Sequence, residues 1–144
     1  MTNIEFKKEL ERRTKRFAVR VFRFLDSLPS GHSSRVIGYQ LGKAASSVGA
    51  NYREANRAES KDDFVHKIGI VLKECAESDY WLDILQELYP KSDELRAIRC
   101  DCIELLKLFH TIGRSSKKTR QLANSPTRQL ANSPTRQLAN SPTR

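Results

Sequence analysis

Apolar residues recur at helical spacing in four separate stretches of this chain and nowhere alternate as they do in a strand. In the first stretch Phe6, Leu10, Phe17, Val21, Leu25 and Leu28 fall three, four or seven residues apart, which marks one face of a helix. Thr2 and Glu5 stand in capping-box positions ahead of it, and Pro29-Ser30-Gly31 ends it. The second stretch, about 33–57, carries Ile37, Leu41, Ala44, Val48, Tyr52 and Ala55 on one stripe and Gly38, Gly42, Ala45 and Gly49 on another. Each glycine inside a helix costs about 1 kcal/mol relative to alanine. A helix that keeps three of them is predicted to lie close against a neighbour.

The third stretch begins at Ser60, a helix cap followed by Asp62 and Asp63. Its stripe is Phe64, Ile68, Val71, Leu72, Cys75, Leu82 and Leu85, flanked by Trp81 and Leu88, and Tyr89-Pro90 closes it. The fourth begins at Ser92 and runs Leu95, Ile98, Cys102, Leu105, Phe109, Ile112, with Gly113 read as its stop. Strand runs and Asn-Gly or Asp-Gly turns are missing from the sequence. Four long helices with short connections predict an all-α fold, an antiparallel up-and-down four-helix bundle over residues 1–116. Tyr80, Trp81 and Ile84 lie outside the narrow stripe of the third helix, an apolar width that suggests a subunit interface.

Composition changes abruptly at Lys117. Residues 120–127, 128–135 and 136–143 are identical copies of Arg-Gln-Leu-Ala-Asn-Ser-Pro-Thr. A proline in every eight-residue copy argues against a solenoid, and residues 117–144 read as a disordered basic tail. One octanucleotide, CGCCAACT, read through all three frames encodes this unit, so we hypothesise a simple-sequence expansion carried into the reading frame. Codons that break the eight-base period would remove that idea. The tail is either a basic tether for RNA or DNA or an appendage without a role.

The net charge of +9 must be located before it is interpreted. Residues 1–58 hold 12 Lys/Arg against 5 Asp/Glu, residues 59–116 hold 8 against 12, and the tail adds 6 with no acid. The bundle is therefore polarised, +7 then −4, which fits either a basic binding face or complementary charges on neighbouring helices or subunits. The basic half has an internal order. Arg12, Lys15, Arg16, Arg20 and Arg23 recur at three and four, giving one continuous stripe suited to phosphate contacts. No aromatic platform interleaves with the stripe, so base stacking is not indicated.

Catalytic constellations are missing. His32, His66 and His110 fall on separate segments without metal-ligand spacing, and Asp62 with His66 reads as a surface pair one turn apart. Cys75 lies on an apolar stripe, where an inert buried thiol is expected. Three cysteines, no signal-peptide core and no apolar run near the roughly 20 residues of a membrane span predict a cytoplasmic protein with reduced thiols. The expectation is no enzyme, no cofactor and no metal. One polar cluster stands out. Ser47, Asn51 and Glu54 share a face of the second helix, and Lys73, Glu74, Glu77 and Asp79 of the third could oppose them. They form either a partly buried network that fixes register or binds a ligand, or a solvated salt-bridge face.

The run from Ala44 through Ser47, Val48, Gly49, Asn51, Tyr52, Arg53 and Glu54 to Phe64, with Lys73-Glu74, Glu77 and Tyr80-Trp81-Leu82, closely resembles bacterial four-helix-bundle proteins encoded in 23S rRNA intervening sequences. The resemblance covers about 5–112. It implies ring-like homopentamers without enzymatic activity. Related accessory proteins of diversity-generating retroelements bind nucleic acid and a reverse transcriptase through a basic surface. It also marks Ser47, Asn51, Glu54, Lys73, Glu74, Glu77, Tyr80 and Trp81 as a signature, which favours a specified network. The function expected is a homo-oligomeric bundle binding RNA or DNA through the first helix. The alternative is an oligomeric scaffold whose charge asymmetry serves subunit contacts.

Overall fold

Every helix start in the structure is set by side-chain chemistry or by a chain break that the sequence carries. In the computed structural model, which describes residues 1–124, α1 spans Asn3–Asp26, α2 His32–Asn56, α3 Lys61–Leu88 and α4 Asp93–Ala123. Thr2 and Glu5 close a full capping box, the Glu5 amide donating to Thr2 Oγ1 at 3.1 Å and the Thr2 amide to Glu5 Oε2 at 2.7 Å. Ser60 and Ser92 accept from the amides of Asp63 and Leu95, satisfying donors that the helix itself leaves open. Gly31 precedes α2 without a side-chain cap.

Each helix packs against the next in antiparallel order, and α1 closes the ring against α4 more lightly. The buried stripes meet in one core built around Leu10, Phe17, Leu41, Tyr52, Ile68, Leu82, Leu105 and Phe109, with Tyr52 and Phe109 edge to face at 5.2 Å. Fully burying one such side chain stabilises the fold by about 1.5–3 kcal/mol relative to exposure.

The stripes differ from expectation at several positions, three of which bear on α1 and α4. Between Leu10 and Phe17 the seven-residue gap is filled by Thr14, fully buried, whose hydroxyl donates back to the Leu10 and Glu11 carbonyls at 2.9 and 3.0 Å. Phe6 is exposed, while Leu25 and Leu28 are half-buried at the bundle's rim. Gly113 does not end α4. It is buried mid-helix, where a Cβ would meet Ile68 and Leu72 of α3 at 3.4 and 3.5 Å, and the helix continues to Ala123. The glycine serves close packing there rather than termination, so Lys117–Ala123, assigned by composition to the tail, is helical. Arg120 lies 3.6 Å from Asp62 at the start of α3. The rest of the repeats, residues 125–144, lies outside the described residues.

The glycine stripe of α2 is used unevenly. At Gly42 a Cβ would come 2.8 Å from the Phe22 ring of α1, and at Gly49 it would come 3.1 Å from Thr14 Oγ1. Gly38 has nothing within 4 Å. Close approach of α1 to α2 is therefore made at Gly42 and Gly49, and Gly38 has no part in it.

Candidate nucleic-acid interface

The core of α1 is drawn to one side by Leu10, Thr14, Phe17 and Val21, so residues half a turn away face solvent. Arg12, Lys15, Arg16 and Arg23 are exposed there and Arg20 is half-exposed at the α4 border. The stripe is one face in space, but its charges are not equivalent. Glu9 accepts from Arg12 at 2.7 Å and approaches Arg16 at 3.9 Å. The Arg12 hydrogen bond and charge hold the Glu9 carboxyl below the usual carboxylate range. Arg20 reaches across to Glu94 of α4 at 3.4 Å. Lys15 and Arg23 have no ion-pair partner among the described residues.

Arg13, one residue off the stripe, carries the stronger link to α4. Its guanidinium donates to Asp101 at 2.9 Å and to Glu104 at 2.6 Å. Burial opposes its charge, yet the two carboxylates outweigh that cost and raise its pKa above the ordinary arginine value. Part of the polarity between the two halves of the sequence is thus satisfied within the chain itself.

The polar signature is dispersed rather than gathered into a network across α2 and α3. Ser47 donates to the Lys43 carbonyl and Asn51 to the Ser47 carbonyl, both within α2. Glu54 does cross to α3, but to Lys67 at 2.9 Å rather than to Lys73. Asp79 turns toward α4 and is held by Arg99 at 3.0 Å. Helical phase explains the division, because Asp79 sits on the α4 side of α3 while Glu74 and Glu77 sit toward α2. Glu74 is half-buried; desolvation first, then Glu77, raises its pKa, with Lys73 and Lys43 pulling the other way. Trp81 Nε1 points at Glu77 Oε1 at 3.5 Å, and the exposed Tyr80 packs edge-on against Trp81 at 5.2 Å. Lys73 is exposed.

The remaining chemistry is sparse. His32, His66 and His110 are exposed, and Asp62 approaches Arg120 at 3.6 Å rather than His66. Among the described residues no cluster of three or more His, Cys, Asp or Glu could hold a metal ion. Cys75 and Cys102 are free and buried, with Cys102 Sγ 3.5 Å from the Cys75 carbonyl. Burial pushes the Cys75 thiol up to about 12, so it stays a protonated, unreactive packing group at neutral pH. Cys100 is exposed. No described helix is long and apolar enough to cross a membrane.

One basic residue gains a place that its sequence neighbourhood did not suggest. Arg53 reads in sequence as part of the polar cluster of α2, yet the structure turns it toward α1, where it and Lys15 flank one groove. The signal was present in the spacing: Arg53 lies one turn beyond Gly49, on the edge of the contact line with α1.

Comparison with known proteins gives a consistent picture. No curated protein matches the chain. A solved structure described as a protein of unknown function from the S23 ribosomal protein family of Bacteroides thetaiotaomicron superposes with a TM-score of 0.62 and 30% identity. The match covers 72% of this chain and 96% of that one. The family described as 23S rRNA-intervening sequence protein matches residues 7–111, the greater part of all four helices, and this chain belongs to it.

Proposed function

We propose that the protein is a non-enzymatic, homo-oligomeric bundle that binds RNA or another nucleic acid through the basic outer face of α1. The observation that carries this reading is the solvent face of α1, where five cations stand opposite the core and, among the described residues, only Glu9 and Glu94 pair with them. Such a face releases counterions when it meets phosphates, a gain that depends on charge density rather than on base sequence. The family's description, which links it to 23S rRNA intervening sequences, supplies an RNA setting for that face. Self-association, as a pentamer by resemblance, is supported by the outer side of α3, where Tyr80 and Leu88 are exposed beside half-buried Trp81 and Ile84.

That same apolar side favours the second reading, an oligomeric scaffold with no nucleic-acid role. Light scattering coupled to size exclusion on the full chain, with and without ribosomal RNA fragments, separates the two. A stable oligomer that shifts further with RNA and returns at high salt is expected. An oligomer indifferent to RNA at low salt would leave only the scaffold.

A further inference from the structure

We propose that the groove between α1 and α2 seats the phosphodiester backbone of the bound nucleic acid, with Lys15 and Arg53 as its direct phosphate contacts. This rests on the nucleic-acid reading above and gives it a location, shifted from the middle of the α1 face to the seam with α2.

The groove encloses about 340 Å³, with Ala18, Ser46, Gly49 and Ala50 among the residues lining it. Short side chains there let a ligand come near the helix backbones, and the two walls each contribute one cation, Lys15 from α1 and Arg53 from α2. No carboxylate lines it. Neither cation has an ion-pair partner among the described residues, whereas Arg12, Arg16 and Arg20 face Glu9 or Glu94. A phosphate arriving at Lys15 and Arg53 breaks no internal pair; one arriving at Arg12 must compete with a carboxylate 2.7 Å away.

The groove's hydroxyls do not add base readout. Thr14 donates to the Leu10 carbonyl at 2.9 Å and Ser46 to the Gly42 carbonyl at 2.7 Å, so both protons are already committed within their own helices. Recognition there is by charge, which positions a nucleic acid without reading its sequence. The track also continues. Arg57 is one turn beyond Arg53 and Lys8 two turns before Lys15; both are exposed and, in antiparallel helices, lie toward the same end, with Glu11 between Lys8 and Lys15, its carboxylate accepting from Asn56 of α2 at 3.1 Å. Cations spaced along a seam on either side of that one carboxylate fit an extended phosphate chain better than a single small anion.

The test is fluorescence anisotropy of the full chain with a fluorescein-labelled RNA hairpin and a DNA duplex of the same sequence, from 50 to 300 mM salt. Lys15→Gln with Arg53→Gln should flatten the log–log salt dependence by about one unit per cation removed. Arg12→Gln with Arg16→Gln should flatten it by less than half as much. Ala50→Leu changes no charge but fills the groove, and it should weaken binding several-fold while circular dichroism shows the helix content retained. Equal slope changes for the two double variants, or unaltered binding by Ala50→Leu, would overturn the groove while leaving the nucleic-acid reading intact. Direct binding of fluorescein-labelled poly-glutamate, tighter than that of either nucleic-acid probe at equal charge and lost in Lys15→Gln with Arg53→Gln, would show an acidic peptide to be the occupant instead. A wild-type chain that binds neither probe at 50 mM salt would remove both proposals together.

Discussion

α1 meets its two neighbours by different physics. Toward α2 it approaches at Gly42 and Gly49, with Phe22 and Thr14 laid where those residues lack side chains. Toward α4 the seam is spanned by Arg13 to Asp101 and Glu104 and by Arg20 to Glu94. The first kind of contact is short-ranged, indifferent to salt and intolerant of added atoms. The second tolerates small displacements but weakens as ions screen it. The division also decides where charge is left over. Among the described residues the α1 cations Arg13 and Arg20 find acids on α4, whereas on the α2 side Glu11 bonds Asn56, and Lys15 and Arg53 have no ion-pair partner.

The comparison can be broken most severely at Phe17, fully buried on the stripe that both seams share. Phe17→Ala should destabilise the bundle by about 3–5 kcal/mol in denaturant titrations. A loss below about 2 kcal/mol would mean that α1 is not an integral wall of the core. Next in size is a pair of glycine substitutions on α2. Gly49→Ala places a Cβ against Thr14, whose β-branched side chain is held by its own hydrogen bonds and yields little. After a propensity gain of about 1 kcal/mol, a net loss of about 1 kcal/mol is expected. Gly38→Ala, with open space around it, should instead raise stability by about 0.5–1 kcal/mol. Equal gains at both positions would show that the α1–α2 approach is looser than the contacts imply. The smallest effect belongs to the ionic seam. Arg13→Gln should lose about 1 kcal/mol at low salt and less at 1 M, where the screening length is about 3 Å. A loss independent of salt would assign the contribution to the aliphatic stem of Arg13 rather than to its charge.

The range of the forces involved decides how much of this is legible in the chain alone. The caps at Thr2, Ser60 and Ser92 and the stop at Tyr89-Pro90 involve residues within a few positions of one another, and each can be read directly. The core stripes are legible too, because helical period alone sorts Leu105 or Ile68 to the inside. Thr14 escapes such a reading because a polar residue in an apolar stripe has no pattern to announce it, only its bond to the Leu10 carbonyl. Pairings distant in sequence are beyond spacing rules. Nothing near Arg13 names Asp101, and nothing near Lys15 names Arg53. For the signature residues, helical phase sets Ser47 and Asn51 one turn apart but says nothing of their partners, which are carbonyls of their own helix.

The last turns of α4 show how little a peptide must contribute in order to become helix. Nucleation is the costly step, and the core-facing residues from Leu95 to Phe109 accomplish it well before the repeats begin. Extension then needs only one favourable residue at a time, so Arg120 to Ala123 join the helix with a single ion pair for support. The described residues from Arg120 to Ala123 therefore rest on helix extension rather than on the core. If the repeats arise from an eight-base unit, gain of one unit changes the reading frame of everything downstream.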